Sequence, residues 1–243
     1  MPESAATTYV AAADRVKKDF FGTTDMTFHE PLMRHRKGPY YFAGDTSRQA
    51  AFETAVDQLV SDADLVAFGV GVRKAAFERE LAEAGLSPYF PADAYAVAIM
   101  LLLERYVDAL ATAAEPMPGR LVFESQDPKE DAYHQLEYAR LLLYGSQWVP
   151  DASFRNWLET GARFLPKCFS HPLELADMFS RDLYEWIRDD CAVEPRRWRL
   201  WSPKIYCRAD GMMGKFGAKV YPDADIREAI MAHREQCREA RGD

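Results

Sequence analysis

The stretch Leu121-Val-Phe-Glu-Ser-Gln-Asp-Pro-Lys-Glu-Asp131 says most about how this chain folds. Leu121, Val122 and Phe123 form a short apolar run of the kind that makes a strand covered on both faces. Asp127-Pro128 then reads as a helix start. It has an aspartate cap, a proline at the first helical position where its missing N–H costs nothing, and Glu130 to close a capping box. That helix is expected to run to about Tyr144, ending before Gly145. A buried strand passing directly into a helix is the unit of a layered α/β fold.

Outward from there, Asp64-Leu-Val-Ala-Phe-Gly-Val-Gly-Val72 is a second apolar, turn-bounded run and a second expected strand. Apolar periodicity predicts helices over about 4–21, 47–61, 74–84 and 172–190. A further helix opening at Pro91 and running to about 114 is apolar nearly all round, hence central. Residues 22–46, 146–170 and 194–222 read as irregular, and a charged helix is expected over 225–241. The expected organisation is one α/β domain over 1–222 with a charged helical tail over 223–243.

The chain has 243 residues, 48% hydrophobic and 13% aromatic, which suits a globular core rather than disorder. A net charge of −8 excludes a surface coated in positive charge for duplex binding, but leaves room for a local basic groove. Cys168, Cys191, Cys207 and Cys237 lie far apart without a CxxC pair, so neither a disulfide scaffold nor a structural zinc site is expected. Cys168 and His171 are close in sequence, but nothing supplies the remaining zinc ligands. The N-terminus carries no secretory signal, and the apolar run near 94–103 is too short and too closely flanked by charge to span a bilayer. A cytoplasmic protein with no membrane partner is the expectation.

Three carboxylates stand out by position. Glu124 lies at the carboxyl end of its strand, where open α/β sheets place their ligands. Asp131 lies in the first turns of the following helix, in line with Gln135, Tyr138 and Leu142, at the margin of a stripe of Ala132, Leu136, Ala139 and Leu143. Asp177 borders the stripe of Leu175, Phe179, Leu183 and Trp186 on a later helix. Oxygens converging from different elements are what magnesium or manganese needs. The plainer reading is that border acids are solvated or paired, with Arg140 and Arg181 nearby. Asp127 is read as a helix cap only. His29-Glu30 could set an imidazole and a carboxylate near a metal, although an isolated pair is a weak signal. The clusters Arg34–Lys37 and Arg196, Arg197, Arg199 and Lys204 read first as solvated loops. Trp198 and Trp201, interleaved with the second cluster, would suit unpaired bases but more often pack against the body. There is no phosphate loop and no nucleophile elbow, and Gly69-Val-Gly71 lacks the third glycine of a dinucleotide site.

The segments Thr27-Phe-His-Glu30, Leu65-Val-Ala-Phe-Gly-Val-Gly-Val-Arg-Lys74, Leu121-Val-Phe-Glu-Ser125 through Lys129-Glu-Asp131, Leu173-Glu-Leu-Ala-Asp177 and Gly217-Ala-Lys-Val-Tyr-Pro222 occur in an order that resembles the domain of unknown function 3800 family. The resemblance runs to about Pro222. It implies a ribonuclease-H-like mixed sheet flanked by helices. It also implies Glu124, Asp131 and Asp177 as catalytic and metal-holding acids for Mg2+ or Mn2+, and beside them Glu30 is a fourth candidate oxygen donor. Lys74, His29 and Lys204 would then face the substrate. The family's N-terminal Asp-Glu-Ser-Gly strand, which brings a further aspartate, is not in this sequence, so an open sheet edge is expected. Two functions follow. One is a metal-dependent nuclease or phosphodiesterase, active or crippled, acting on nucleic acid in a phage or mobile-element setting. The other is a non-enzymatic binding or assembly module whose acids are structural and whose open edge or tail docks a protein, a nucleic acid or a second copy.

Overall fold

Both expected strands form, and each has a parallel neighbour in a region read as irregular. The computed structural model describes residues 1–84, 91, 93–208 and 217–223, with positions 228, 231, 232 and 235. Those four positions are helical; the rest of the expected tail helix, and Cys237, lie outside the described residues.

Strand β1 (Gly69–Val72) pairs in parallel with β4 (Ala218–Tyr221), and β2 (Val122–Glu124) pairs in parallel with β3 (Arg163–Leu165). Single bridges extend each ladder, Ala67 to Ile205 and Gly119 to Leu158. Among the described residues the strands therefore make two separate two-stranded parallel pairs, not one mixed sheet, and each strand keeps one unpaired edge. Phe123 and Phe164 face each other across β2 and β3 with ring centroids 5.4 Å apart, a cross-strand pair that fixes the register.

The helices are α1 (Glu3–Phe21), α2 (Glu30–Arg34), α3 (Thr46–Asp62), α4 (Lys74–Ala84), α5 (Ala94–Thr112), α6 (Pro128–Tyr144), α7 (Asp151–Trp157), α8 (His171–Arg188) and the short α9 (Trp198–Trp201). Their starts follow the sequence signals. Asp45 accepts from the Arg48 N–H at the start of α3, and Asp127 accepts from the N–H groups of Lys129 and Glu130 at the start of α6. Helix α5 begins at Ala94 rather than Pro91, because Asp93 takes the N–H groups of Tyr95 and Ala96.

Two apolar clusters hold the molecule together. One gathers α1, α3, α8 and α9 around Phe52, Val56, Met178 and the stacked Trp186–Trp198 pair; the other surrounds α5. Helix α8 lies against β1 along the stripe expected from the sequence, with Leu175, Phe179, Leu183 and Trp186 all buried. The approach is close enough to require glycine in the strand. A Cβ on Gly69 would stand 2.4 Å from Leu183 Cδ2, and one on Gly71 would stand 2.2 Å from Ile187 Cδ1. The Gly-Val-Gly motif is thus a packing device.

Helix α6 is turned differently from the expectation. Its buried residues are Tyr138 and Leu141, while Leu136 and Leu143 are 68% and 62% exposed. Tyr138 decides the face, since its large ring is fully buried and its hydroxyl donates to the Glu159 carbonyl. No helix among the described residues is long and apolar enough to cross a membrane.

Candidate acidic site at the strand ends

The carboxyl ends of β2 and β3 and the first turns of α8 meet at one place. Glu124 is the last residue of β2, in register with Leu165 of β3. Pro166 then ends the strand and a single helical turn follows, carrying Lys167. Glu174 and Asp177 are one turn apart near the start of α8. The Lys167 ammonium lies 3.2 Å from Glu124 Oε2 and 3.1 Å from Asp177 Oδ2. Its side chain is 10% exposed, against 38% for Glu124 and 21% for Asp177. Asp177 Oδ2 also accepts the Glu30 backbone N–H at 3.1 Å. Three charged groups from three elements are thus drawn together as ion pairs around an ammonium that is itself largely out of water, while Glu124 stays partly solvated.

Asp131 faces the same strand end but answers to other partners. Oδ2 takes the Ser125 hydroxyl at 2.6 Å and Oδ1 the Gln126 N–H at 3.1 Å. Both oxygens hold the two residues that follow Glu124, so Asp131 fixes the loop joining strand to helix.

A divalent metal can be tested against this arrangement. Magnesium needs oxygens at about 2.0–2.1 Å and several of them. Here two candidate oxygens are spaced around an ammonium, the third acid is engaged by neutral donors, and no group of three or more His, Cys, Asp or Glu side chains able to hold a metal occurs among the described residues. The residues as placed do not fit a divalent metal centre.

Glu30 does not serve as a fourth oxygen donor, because only its backbone reaches Asp177. Its carboxyl is 6% exposed with Oε2 unpartnered, and burial pushes its pKa up against the pull of Arg34, Arg181 and Arg197. His29 Nδ1 is buried without a partner. Lys74 is exposed and sits 5.1 Å from the centre of the Tyr95 ring. Lys204 donates to the carbonyls of Ser61 and Ala63, closing the end of α3, and burial lowers its pKa. Each lysine is held by its own local partners.

The basic clusters are largely consumed by internal ion pairs. Arg36 and Arg196 bind Glu53, Arg196 and Arg197 bind Asp57, and Arg34 binds Glu185. Trp198 and Trp201 are buried, and the Trp201 indole N–H donates to Asp182 at 2.8 Å. They pack the body and offer no stacking platform.

Two elements of this region escaped sequence reasoning. Lys167 lies in a stretch without periodicity, and no spacing pattern marks it. The pair Lys17–Glu174, 2.8 Å apart and 1% exposed on each residue, ties α1 to α8. Glu174 Oε1 also accepts the Phe28 N–H, so Glu174 and Asp177 together pin the segment 28–30 along α8. The signal available in the sequence was the helical spacing of Lys17 with Ala13 and Phe20, which puts it on the apolar face of α1. Comparison of the chain with family models, with curated proteins and with solved structures returns no match in any of the three.

Proposed function

We propose that this chain is a non-enzymatic binding or assembly module, built on a ribonuclease-H-like plan, whose strand-end acids are structural. The observation that carries the reading is the Lys167 ammonium seated between Glu124 and Asp177. It neutralises the pair that a nuclease would give to metal. Binding is also supported by what the fold leaves open. Among the described residues each strand lacks a strand neighbour on one side, a seat that an extended strand from a protein partner would take. Thermal unfolding with and without millimolar Mn2+ tests this reading, because a ligand that binds only the folded state must raise the melting temperature. The module reading expects no rise. A rise that disappears in Glu124→Ala overturns it.

A second reading, a nuclease or phosphodiesterase dependent on Mg2+ or Mn2+, is favoured by one observation: Glu124, Asp131 and Asp177 all lie around the carboxyl end of β2. Incubation with single-stranded DNA, RNA and hybrid in Mn2+ decides it. Cleavage abolished by Glu124→Ala and by Asp177→Ala would replace the module reading.

A further inference from the structure

We infer that Lys167 is a built-in counter-ion that takes the place of a dissociable cation at the Glu124–Asp177 pair, so that the site binds divalent metal only when Lys167 is removed. The inference deepens the proposed function and rests on the same acids, but it can fail alone.

The placement of Lys167 leaves it little freedom. It follows Pro166, which fixes the backbone at the end of β3, and it opens the single turn that leads into α8. Its neighbours on both sides in space are therefore set by the strands and by α8 rather than by the flexible length of the side chain. Nine-tenths of that side chain is out of water. Its ammonium stands within ion-pair distance of both acids, at 3.1 and 3.2 Å. Asp177 Oδ2, the oxygen beside the ammonium, also accepts the Glu30 N–H, so moving it toward a smaller ion would strain that hydrogen bond. Ammonium-to-carboxylate distances exceed magnesium-to-oxygen distances by about 1 Å. A divalent ion would have to draw both carboxylates inward and leave the displaced ammonium beside a double positive charge. Both requirements oppose exchange. An internal lysine, unlike an ion, also cannot be removed by a chelator.

The test compares the full chain with Lys167→Met and with Lys167→Met/Glu124→Gln. The readouts are melting temperature in chelator, melting temperature in Mn2+, and calorimetric titration with MnCl2. The parent protein is expected to melt at the same temperature in chelator and in millimolar Mn2+, and to give no binding heat. Lys167→Met should melt lower in chelator, because two acids then face each other without a cation. It should regain about 5–10 °C once Mn2+ stands near a hundred times its Kd. The double variant should recover in chelator and lose the Mn2+ response. Mn2+ binding by the parent protein that depends on Glu124 would overturn the inference. So would a Lys167→Met protein that is folded by circular dichroism and indifferent to Mn2+. If Lys167→Met does not fold, Lys167→Gln, which keeps a neutral donor, takes its place with the same expected outcomes. A folded Lys167→Met protein indifferent to Mn2+ would sink this inference alone; Glu124-dependent Mn2+ binding by the parent protein, with or without cleavage, would sink the module reading as well.

Discussion

Lys17→Met is the perturbation whose size follows most directly from the structure. Lys17 and Glu174 are each 1% exposed and 2.8 Å apart, and Glu174 keeps only the Phe28 N–H when the ammonium is gone. Removing one member of a buried pair leaves an uncompensated charge and costs about 3–5 kcal/mol. For a chain of this length each kcal/mol moves the melting temperature by about 2–4 °C, so the expected fall is about 10 °C. Burial already raises the Glu174 pKa, while Lys17 is the chief influence lowering it. The folded state therefore holds a proton on Glu174 more tightly than the unfolded chain does. Stability from this group is greatest below the ordinary glutamate range and is lost as pH rises through the raised value. Without Lys17 that value rises further, so the penalty of Lys17→Met should shrink on going from pH 8 to pH 5. The double variant Lys17→Met/Glu174→Leu should recover most of the loss at both pH values, because no charge remains to be buried. Urea unfolding of the parent and the two variants at the two pH values makes the measurement. A single-variant cost below about 1 kcal/mol, or a cost indifferent to pH, would refute the claim that a buried charge pair joins α1 to α8.

Other outcomes are expected from the same kind of reasoning. Gly69→Ala should cost about 1–3 kcal/mol in urea unfolding, since its Cβ meets Leu183 at 2.4 Å and the Phe179 ring at 2.9 Å. Gly71→Ala should cost less, because only the end of the Ile187 side chain must move. Trp201→Phe removes the donor to Asp182, a buried acid whose pKa burial already raises, and should cost about 1–3 kcal/mol near neutral pH. That loss should ease as acid supplies Asp182 with a proton. Asp127→Ala should lower stability by about 1 kcal/mol through its lost helix cap, with equal effect in chelator and in Mn2+; a metal-dependent cost would give Asp127 a role beyond capping.

Sequence reading worked where local chemistry and burial agree. Helix α8 carries one apolar face, and α6 begins at an aspartate whose side chain holds the first free N–H groups, as the sequence indicates. It failed where an element is short and borrows its stability from a distant partner. Strand β3 is three residues between Arg163 and Leu165, and β4 is four residues, too few for a period of two to show above chance. Each exists because a parallel neighbour lies beside it, and such pairing leaves no mark on the strand itself. Helix α6 was turned the wrong way because counting apolar positions treats Leu136 and Tyr138 alike, whereas the larger ring claims the interior. At the strand end, position alone located Glu124 and Asp177. Position could not reveal that Lys167 arrives between them, since a lysine inside a polar, proline-rich turn looks like any solvated loop residue.

The attachment of α1 has a consequence for how the chain is made. Lys17 meets Glu174, and Asp14 meets His171, each 157 positions later in the sequence. At about 5–20 residues per second, synthesis leaves the first helix waiting roughly 8–30 s before the segment that receives it has been made. Throughout that interval Asp14 and Lys17 lack these partners, and of the two main helical neighbours of α1 only α3 is already made. The side of α1 that meets α8 therefore stays uncovered, open to chaperones and to premature association, until α8 is complete.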